Sequence, residues 1–443
     1  MSDSRWSRLI PSRRRVVAYL IVILVLLLLR VAVDVWAGYH LASVTARLAP
    51  IYQGLDLASL TPPAVGPGEN RARVLAAAAS LTVTQYDTLR RSTLSQALFG
   101  EPALSRLATG GDSAKRQQVF RQAVTDDRLA LLVLDEAESR PKANWDITYR
   151  DGTRVRLPAL REIRDLSNVN IAAGMLELGD GRADEAARRA RLGLVLAGSL
   201  KQEPSLIVQL IRVAVTRDEC RLLREVLAQG DPSAPALQAV ADRLQDDDRD
   251  APAVAGLIGE LKYQSSLFDG LESGDQAVSP GPAVPSTLEA WLLWCLRPGV
   301  RMAHARVLEQ IHQMIEYARL QPFERQARGL RWPSDEPQSW LWRSLTMLST
   351  VGLNRVVTSG DEHRALTMLA ATAVAVRRCR LDRGSYPASL DQLVPAYLPR
   401  GPVDPYTGRA PAYTPAAAGF ELAVNTPATE KFMVELLDWR IAR

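Results

Sequence analysis

The residue types that could do acid–base or metal chemistry are few and scattered. The four histidines are His40, His304, His312 and His363. His304 and His312 lie in one helical pattern, and Glu309 stands three residues before His312. That spacing sets a carboxylate and an imidazole on one helix face. A di-iron bundle requires two such Glu-x-x-His pairs and two further glutamates on facing helices, and the second pair is absent. The group therefore reads as a solvated polar face. "DDDRD" places Asp246, Asp248 and Asp250 at calcium-loop spacing, but the loop's glycine and closing glutamate positions hold Ala251 and Leu257. A charged helix end is the better account. Cys220, Cys295 and Cys379 are far apart, show no Cys-x-x-Cys or Cys/His spacing, and are odd in number, so they read as buried free thiols. No GxSxG, GxxxxGK[ST], HExxH or GxGxxG motif occurs. The expectation is no catalytic, cofactor-binding or metal-binding residue. A periplasmic hydrolase with an unrecognised site, built around His304, Glu309 and His312, is the alternative.

The elements around these residues follow from composition and pattern. At 443 residues, with 47% hydrophobic and 23% charged residues, the chain folds, and it exceeds one ordinary core. The net charge of +5 comes mostly from Arg5, Arg8, Arg13, Arg14 and Arg15, set against Asp3. The body is thus nearly neutral, and a nucleic-acid surface is not implied.

"RRRVVAYLIVILVLLLLRVAVDVWAGYH" begins with Arg13, Arg14 and Arg15 and continues as an apolar run from Val16 to Leu29. That run reaches only ~21 Å, short of a ~30 Å hydrocarbon core. Continued to Trp36 the helix reaches ~31 Å, provided that Arg30 snorkels outward and pairs with Asp34 one turn on. Trp36 and Tyr39 then fall in an interfacial aromatic belt. A cleaved signal peptide is the rival, but "RVAVDVW" offers no small-x-small site directly after the run. The expectation is a basic cytoplasmic segment (1–15), a transmembrane anchor (16–36) in a bacterial inner membrane, and a periplasmic body. "AWLLWC" and "WLWRSLTML" read as core helices rather than second spans.

Residues 41–271 read as a helical domain. "NRARVLAAAASL" and "KRQQVFRQAVTDDRLALLVLDEAE" space apolar residues at three and four. Asp151-Gly152 predicts a small hairpin near 147–157. From 158 to 200, two helical patterns flank Gly179-Asp180-Gly181, with Ala172, Ala173, Ala183, Ala186 and Ala187 allowing close antiparallel packing. On "GDGRADEA" the unit resembles one tetratricopeptide repeat. The likeness covers a single repeat where arrays need roughly three, so the reading is an irregular stack of helical hairpins. A Gly/Pro/Ser-rich linker (272–286), a helical segment (287–360) with helices on either side of Pro298, and a last module (361–443) complete the order.

In that module "HRALTMLAATAVAVRRCRL", His363 to Leu381, is a helix with a stripe of Leu366, Leu369, Ala373 and Val376. Gly384 stops it, Tyr386-Pro387 starts an extended segment, and "ASLDQLVPAYL" offers a short helix with Leu390, Leu393 and Leu398 inward. "VDPYTG" is turn chemistry, and "APAY" and "GFELAV" read as two strands around residues 416–419.

Residues 361–425 resemble the globular part of the major pseudopilins of type II secretion systems. The likeness rests on Gly384, Tyr386, Pro387, Leu390, Leu393, Asp404, Pro405, Tyr406, Gly408 and Tyr413. It implies a helix on a small antiparallel sheet. Pseudopilins also carry a prepilin-peptidase site and an acidic calcium loop, whereas "SRRRVVAYL" lacks the former and "AVNTPATEKF" has only Glu430. The likeness therefore carries the fold over, and neither processing nor calcium. The fold class expected is mainly α: a single N-terminal transmembrane helix, an irregular helical-hairpin stack and a small C-terminal α+β pseudopilin-like module. The function expected is a membrane-anchored periplasmic scaffold or interaction protein, an accessory of a type II secretion or pilus-like assembly. Its partners would be the lipid bilayer and other membrane or periplasmic proteins, with no nucleic acid.

Overall fold

The structure is a computed structural model and describes residues 13–82, 88–99, 111–149, 155, 157–247, 252–273, 286–333, 353–424 and 438–441. It is mainly helical, with one small antiparallel sheet. The chain forms two compact units. One comprises Met1–Ser59, Leu261–His312 and Pro337–Ser349; the other comprises Leu60–Glu260, Gln313–Glu336 and Thr350–Arg443.

The first unit is built on α1 (Arg13–Tyr52), an unbroken helix of 40 residues. From Val16 to Leu29 its side chains are exposed. Among the described residues it is the one helix long and apolar enough to cross a membrane. Past Trp36 the pattern changes: Ala37, Val44, Leu48 and Tyr52 are buried and form a stripe at near-helical spacing. This unit is completed by the C-terminal part of α10 (Pro252–Ser273) and the N-terminal part of α11 (Ser286–Arg319). Two helices were expected on either side of Pro298, yet α11 runs straight through it. Residues 274–285 of the expected linker, the segment "WLWRSLTML" and most of the cytoplasmic segment lie outside the described residues.

The second unit begins with α2 (Arg71–Ser80), whose first turn is capped by Asn70 Oδ1 accepting from the Ala72 N–H at 3.1 Å. It continues with α3 (Thr88–Phe99), α4 (Gly111–Asp126) and α5 (Arg128–Glu136). The expected hairpin near 147–157 has its Asp151-Gly152 tip outside the described residues, and its described flanks contain no strand. The hydrogen bonds of the first flank go elsewhere. Asn144 N–H and C=O bond the Asn70 side chain at 3.0 and 2.7 Å, and Tyr149 Oη donates to Glu203 at 2.7 Å. Ile147 and Tyr149 are buried beside those contacts.

α6 (Leu160–Gly179) and α7 (Ala183–Ser199) are the antiparallel pair read from the sequence, with Gly181 at φ +76° in the turn. α8 (Leu206–Gln229) lies against both of them, α9 (Ala234–Asp247) against α7, and α13 (Leu353–Arg383) against α8 and α9. Helix α13 starts ten residues before the expected His363, with the stripe Leu366, Leu369, Ala373 and Val376 buried. "LDQL" forms a 3-10 turn rather than an α-helix, and Leu390, Leu393 and Leu398 are buried. β1 (Ala412–Pro415) pairs with β2 (Phe420–Ala423), and β2 with β3 (Asp438–Ile441), all antiparallel. β3, absent from the sequence reading, buries Trp439 and Ile441 and lies against α8.

Candidate functional site

A ladder of paired charges lies in the first unit where α1 leaves its exposed apolar zone. Arg30 Nη1 is 3.4 Å from Asp34 Oδ2, the one-turn pair that the spacing predicts. Asp34 Oδ1 also accepts from Arg301 Nη1 of α11 at 3.2 Å, and Arg301 Nε donates to Glu272 Oε2 of α10 at 3.1 Å. The four side chains are 16–18% exposed and alternate in sign across three helices. Each charge thus has an opposite neighbour, which offsets the cost of removing it from water.

Close approach makes this ladder possible. A Cβ on Gly38 would lie 3.0 Å from Arg301 Nη1, so a side chain there would crowd the guanidinium. Pro298 has no N–H, and the carbonyl four residues earlier, Trp294, is left without its helix donor. Arg30 Nη2 donates to that carbonyl, and the Arg30 guanidinium also lies over the Trp294 ring, 3.9 Å from its centroid.

His304 sits next to the ladder and is 2% exposed. Its ring stacks on Phe268 at 5.1 Å, its Nε2 is 3.3 Å from Ser265 Oγ, and its Nδ1 faces Asp269 and Glu272 at 3.9 and 4.0 Å. Burial alone would raise the Glu272 carboxyl; the adjacent His304 and Arg301 outweigh it and hold Glu272 below the usual range.

The three residues read as a possible catalytic cluster do not converge. Glu309 is ion-paired with Arg47 at 2.8 Å, and His312 Nδ1 is 2.7 Å from Tyr52 Oη. His304 has the separate partners above. Among the described residues no group of His, Cys, Asp or Glu is placed to hold a metal ion. Asp248, Asp250 and Ala251 of the acidic run lie outside the described residues.

The ten residues of the C-terminal module all lie in the second unit, in two places: the segment after α13 with the sheet, and the turn around Asp404. Gly384 takes φ +75° at the end of α13. Tyr386 Oη accepts from Arg377 and Arg380 at 3.0 and 2.6 Å, and its ring meets Phe420 edge-on at 5.5 Å. Tyr413 Oη donates to the Pro387 carbonyl at 2.9 Å, which ties β1 to the segment after α13. Leu390 and Leu393 lie in the core with Phe420 and Trp439. Asp404 is fully buried and accepts from Tyr406 N–H at 2.8 Å and Thr407 Oγ1 at 3.0 Å, the local bonding that sets the turn.

α12 (Pro322–Ala327) straps this turn. Phe323 N–H donates to the Pro405 carbonyl at 3.1 Å, and the Phe323 ring comes within 2.7 Å of where a Cβ on Gly408 would be. Arg325 forks onto Asp361 at 2.6 and 3.0 Å, and Arg364 adds a contact at 3.4 Å. Even so, burial leaves the Asp361 carboxyl above its ordinary value, and burial also raises the Tyr406 hydroxyl beyond the usual phenol range.

Sequence reasoning missed Arg301, Glu272, Arg325 and Asp361. Their partners lie tens to hundreds of positions away, and no local pattern marks them. The arrangement is largely one of ion pairs and caps that join helices, with Ser265, His304 and the Asp269 and Glu272 carboxylates as its one hydroxyl–imidazole–carboxylate contact among the bonds described above. Of the anchor residues, Trp36 and Tyr39 are exposed, while Arg13, Arg14 and Arg15 open α1. No protein-family model, curated protein or solved structure matches the chain.

Proposed function

We propose that this protein is a membrane-anchored scaffold, held by residues 16–36 in a bacterial inner membrane, whose helical hairpins bind other proteins in the periplasm. The observation that carries the reading is α1: fourteen consecutive exposed apolar positions, Val16 to Leu29, on a helix that continues without a break into buried contacts at Ala37, Val44 and Leu48. Continued to Trp36, this exposed helix reaches ~31 Å, a length that fits lipid. The arginines before it favour a cytoplasmic N-terminus. The contacts of Tyr386, Pro387 and Tyr413 with a helix-backed antiparallel sheet, beside the turn set by Asp404 and Gly408, support the pseudopilin-like reading of the tail, and with it a place beside a type II secretion or pilus-like assembly.

Protease added to spheroplasts should digest everything after about residue 40 and leave a small membrane-protected fragment. Full protection of the body would sink the topology. Affinity purification of the full chain from detergent-solubilised membranes should recover secretion or pilus components; their absence would leave an anchored scaffold with another partner.

A further inference from the structure

Helix α11 runs parallel to α1, and its contacts set the register. Trp294 meets Arg30, Arg301 meets Asp34 and approaches Gly38, Glu309 meets Arg47, and His312 meets Tyr52. α11 begins eight residues before Trp294, at Ser286, and eight residues of helix reach ~12 Å. Its first two turns therefore lie beside α1 at the level of the exposed run that ends at Leu29. The sequence there, "STLEAWLLWCL", holds Leu288, Trp291, Leu292, Leu293, Trp294 and Leu296 against the single charge of Glu289. Where the side chains are described, they face outward: Trp294 is 39% and Leu296 60% exposed, and Cys295 is exposed too.

We infer that the N-terminal turns of α11, Ser286–Leu296, form a second membrane-contacting element, inserted into the outer leaflet beside the span without crossing it. The inference rests on α1 being the anchor. Three observations point to lipid rather than protein as the occupant: the parallel register with the exposed apolar zone of α1, the aromatic and aliphatic exposure at Trp294 and Leu296, and the charge ladder directly above. Trp294, level with Arg30, lies ~9 Å below Trp36 in the outer half of the span, where its ring over the guanidinium shields that charge from the acyl chains. Arg30 then has a specific task. It supplies the donor that Pro298 removes, so that the Trp294 carbonyl enters the bilayer already bonded.

The chain carries its own reporter, since Cys220 and Cys379 are buried and Cys295 is exposed. Full-length protein in phosphatidylcholine/phosphatidylglycerol vesicles is labelled with an environment-sensitive bimane at Cys295. Quenching is then compared for lipids spin-labelled near the headgroup and for iodide in the water. Cys295→Ser should take up no label. A second version, Leu24→Cys with Cys295→Ser, reports the span itself. Insertion into the outer half of the bilayer predicts roughly twofold quenching of the Cys295 label by the lipids, and little by iodide. Strong iodide quenching at Cys295 without lipid quenching, while Leu24→Cys remains lipid-quenched, overturns the second element and leaves the anchor. Loss of lipid quenching at Leu24→Cys overturns the anchor, and the inference falls with it.

Discussion

Glu219 is the most deeply placed carboxyl in the hairpin stack, with no exposure to water. Ser167 Oγ donates to it at 2.9 Å, and Asn170 Nδ2 lies at 3.4 Å from both oxygens. Burial pushes its pKa well above the ordinary glutamate value, and the hydrogen bonds from Ser167 and Asn170 only partly oppose the shift. The folded protein thus keeps a proton that the unfolded chain releases once pH passes about 4.3. Stability contributed by that proton is present below this value and is lost as pH rises towards the folded pKa. Glu219→Gln should flatten this loss. In urea unfolding of the detergent-solubilised full chain at about pH 5 and about pH 8, the variant should lose less stability over the interval than the parent. Equal losses would count against a buried, protonated Glu219. The same carboxyl fixes the residue opposite it, because a Cβ on Gly193 would fall 1.8 Å from the Glu219 carboxyl carbon. Gly193→Ala should cost about 1–3 kcal/mol by overpacking, and adding Glu219→Ala should recover part of that cost as a coupling between the two sites. Full additivity would show that the two positions do not touch.

Helix ends and turns show where a rule read from one residue suffices and where it fails. Gly384 and Gly408 both take positive φ, +75° and +69°, and differ in their surroundings. Nothing lies within 4 Å of a Cβ on Gly384, whereas the Phe323 ring blocks one on Gly408. Gly384→Ala should cost about 1 kcal/mol of backbone strain, and Gly408→Ala about 1–3 kcal/mol more through the clash with α12. Unfolding midpoints of the two variants, repeated in a Phe323→Ala background, check this; equal costs in the parent chain would remove the strap's part. Both glycines were legible in the sequence because a stop or a turn is written in adjacent residues. So was the α13 stripe of Leu366, Leu369, Ala373 and Val376, since helical periodicity is local. The strap was not legible, because Phe323 meets Gly408, and Arg325 meets Asp361, across long stretches of chain. α11 failed for a related reason. Pro298 announces a lost hydrogen bond, but the replacement donor is Arg30 on another helix. β3 was missed because "DWRI" is too short for alternation to stand out, although Trp439 and Ile441 are both buried.

For the molecule as a whole, a span of this kind should keep the full chain in the membrane pellet through alkaline carbonate extraction, whereas a version lacking residues 1–36 should be released if only α1 holds it. If α11 also enters the leaflet, that shortened version should still bind vesicles and leave them at high pH. Release of the intact chain would exclude a spanning helix. The continuity of α1 has a mechanical consequence. Forty residues give a shaft of ~60 Å; in a chain anchored as proposed it would stay stiff across the lipid boundary, because helical hydrogen bonds continue through Trp36 into the segment held by Arg301 and Glu309. A thinner or thicker bilayer changes the tilt of a spanning helix. With no joint between lipid and folded contacts, such a tilt would swing α11 through the same angle, making the first unit a lever whose pivot is set by bilayer thickness.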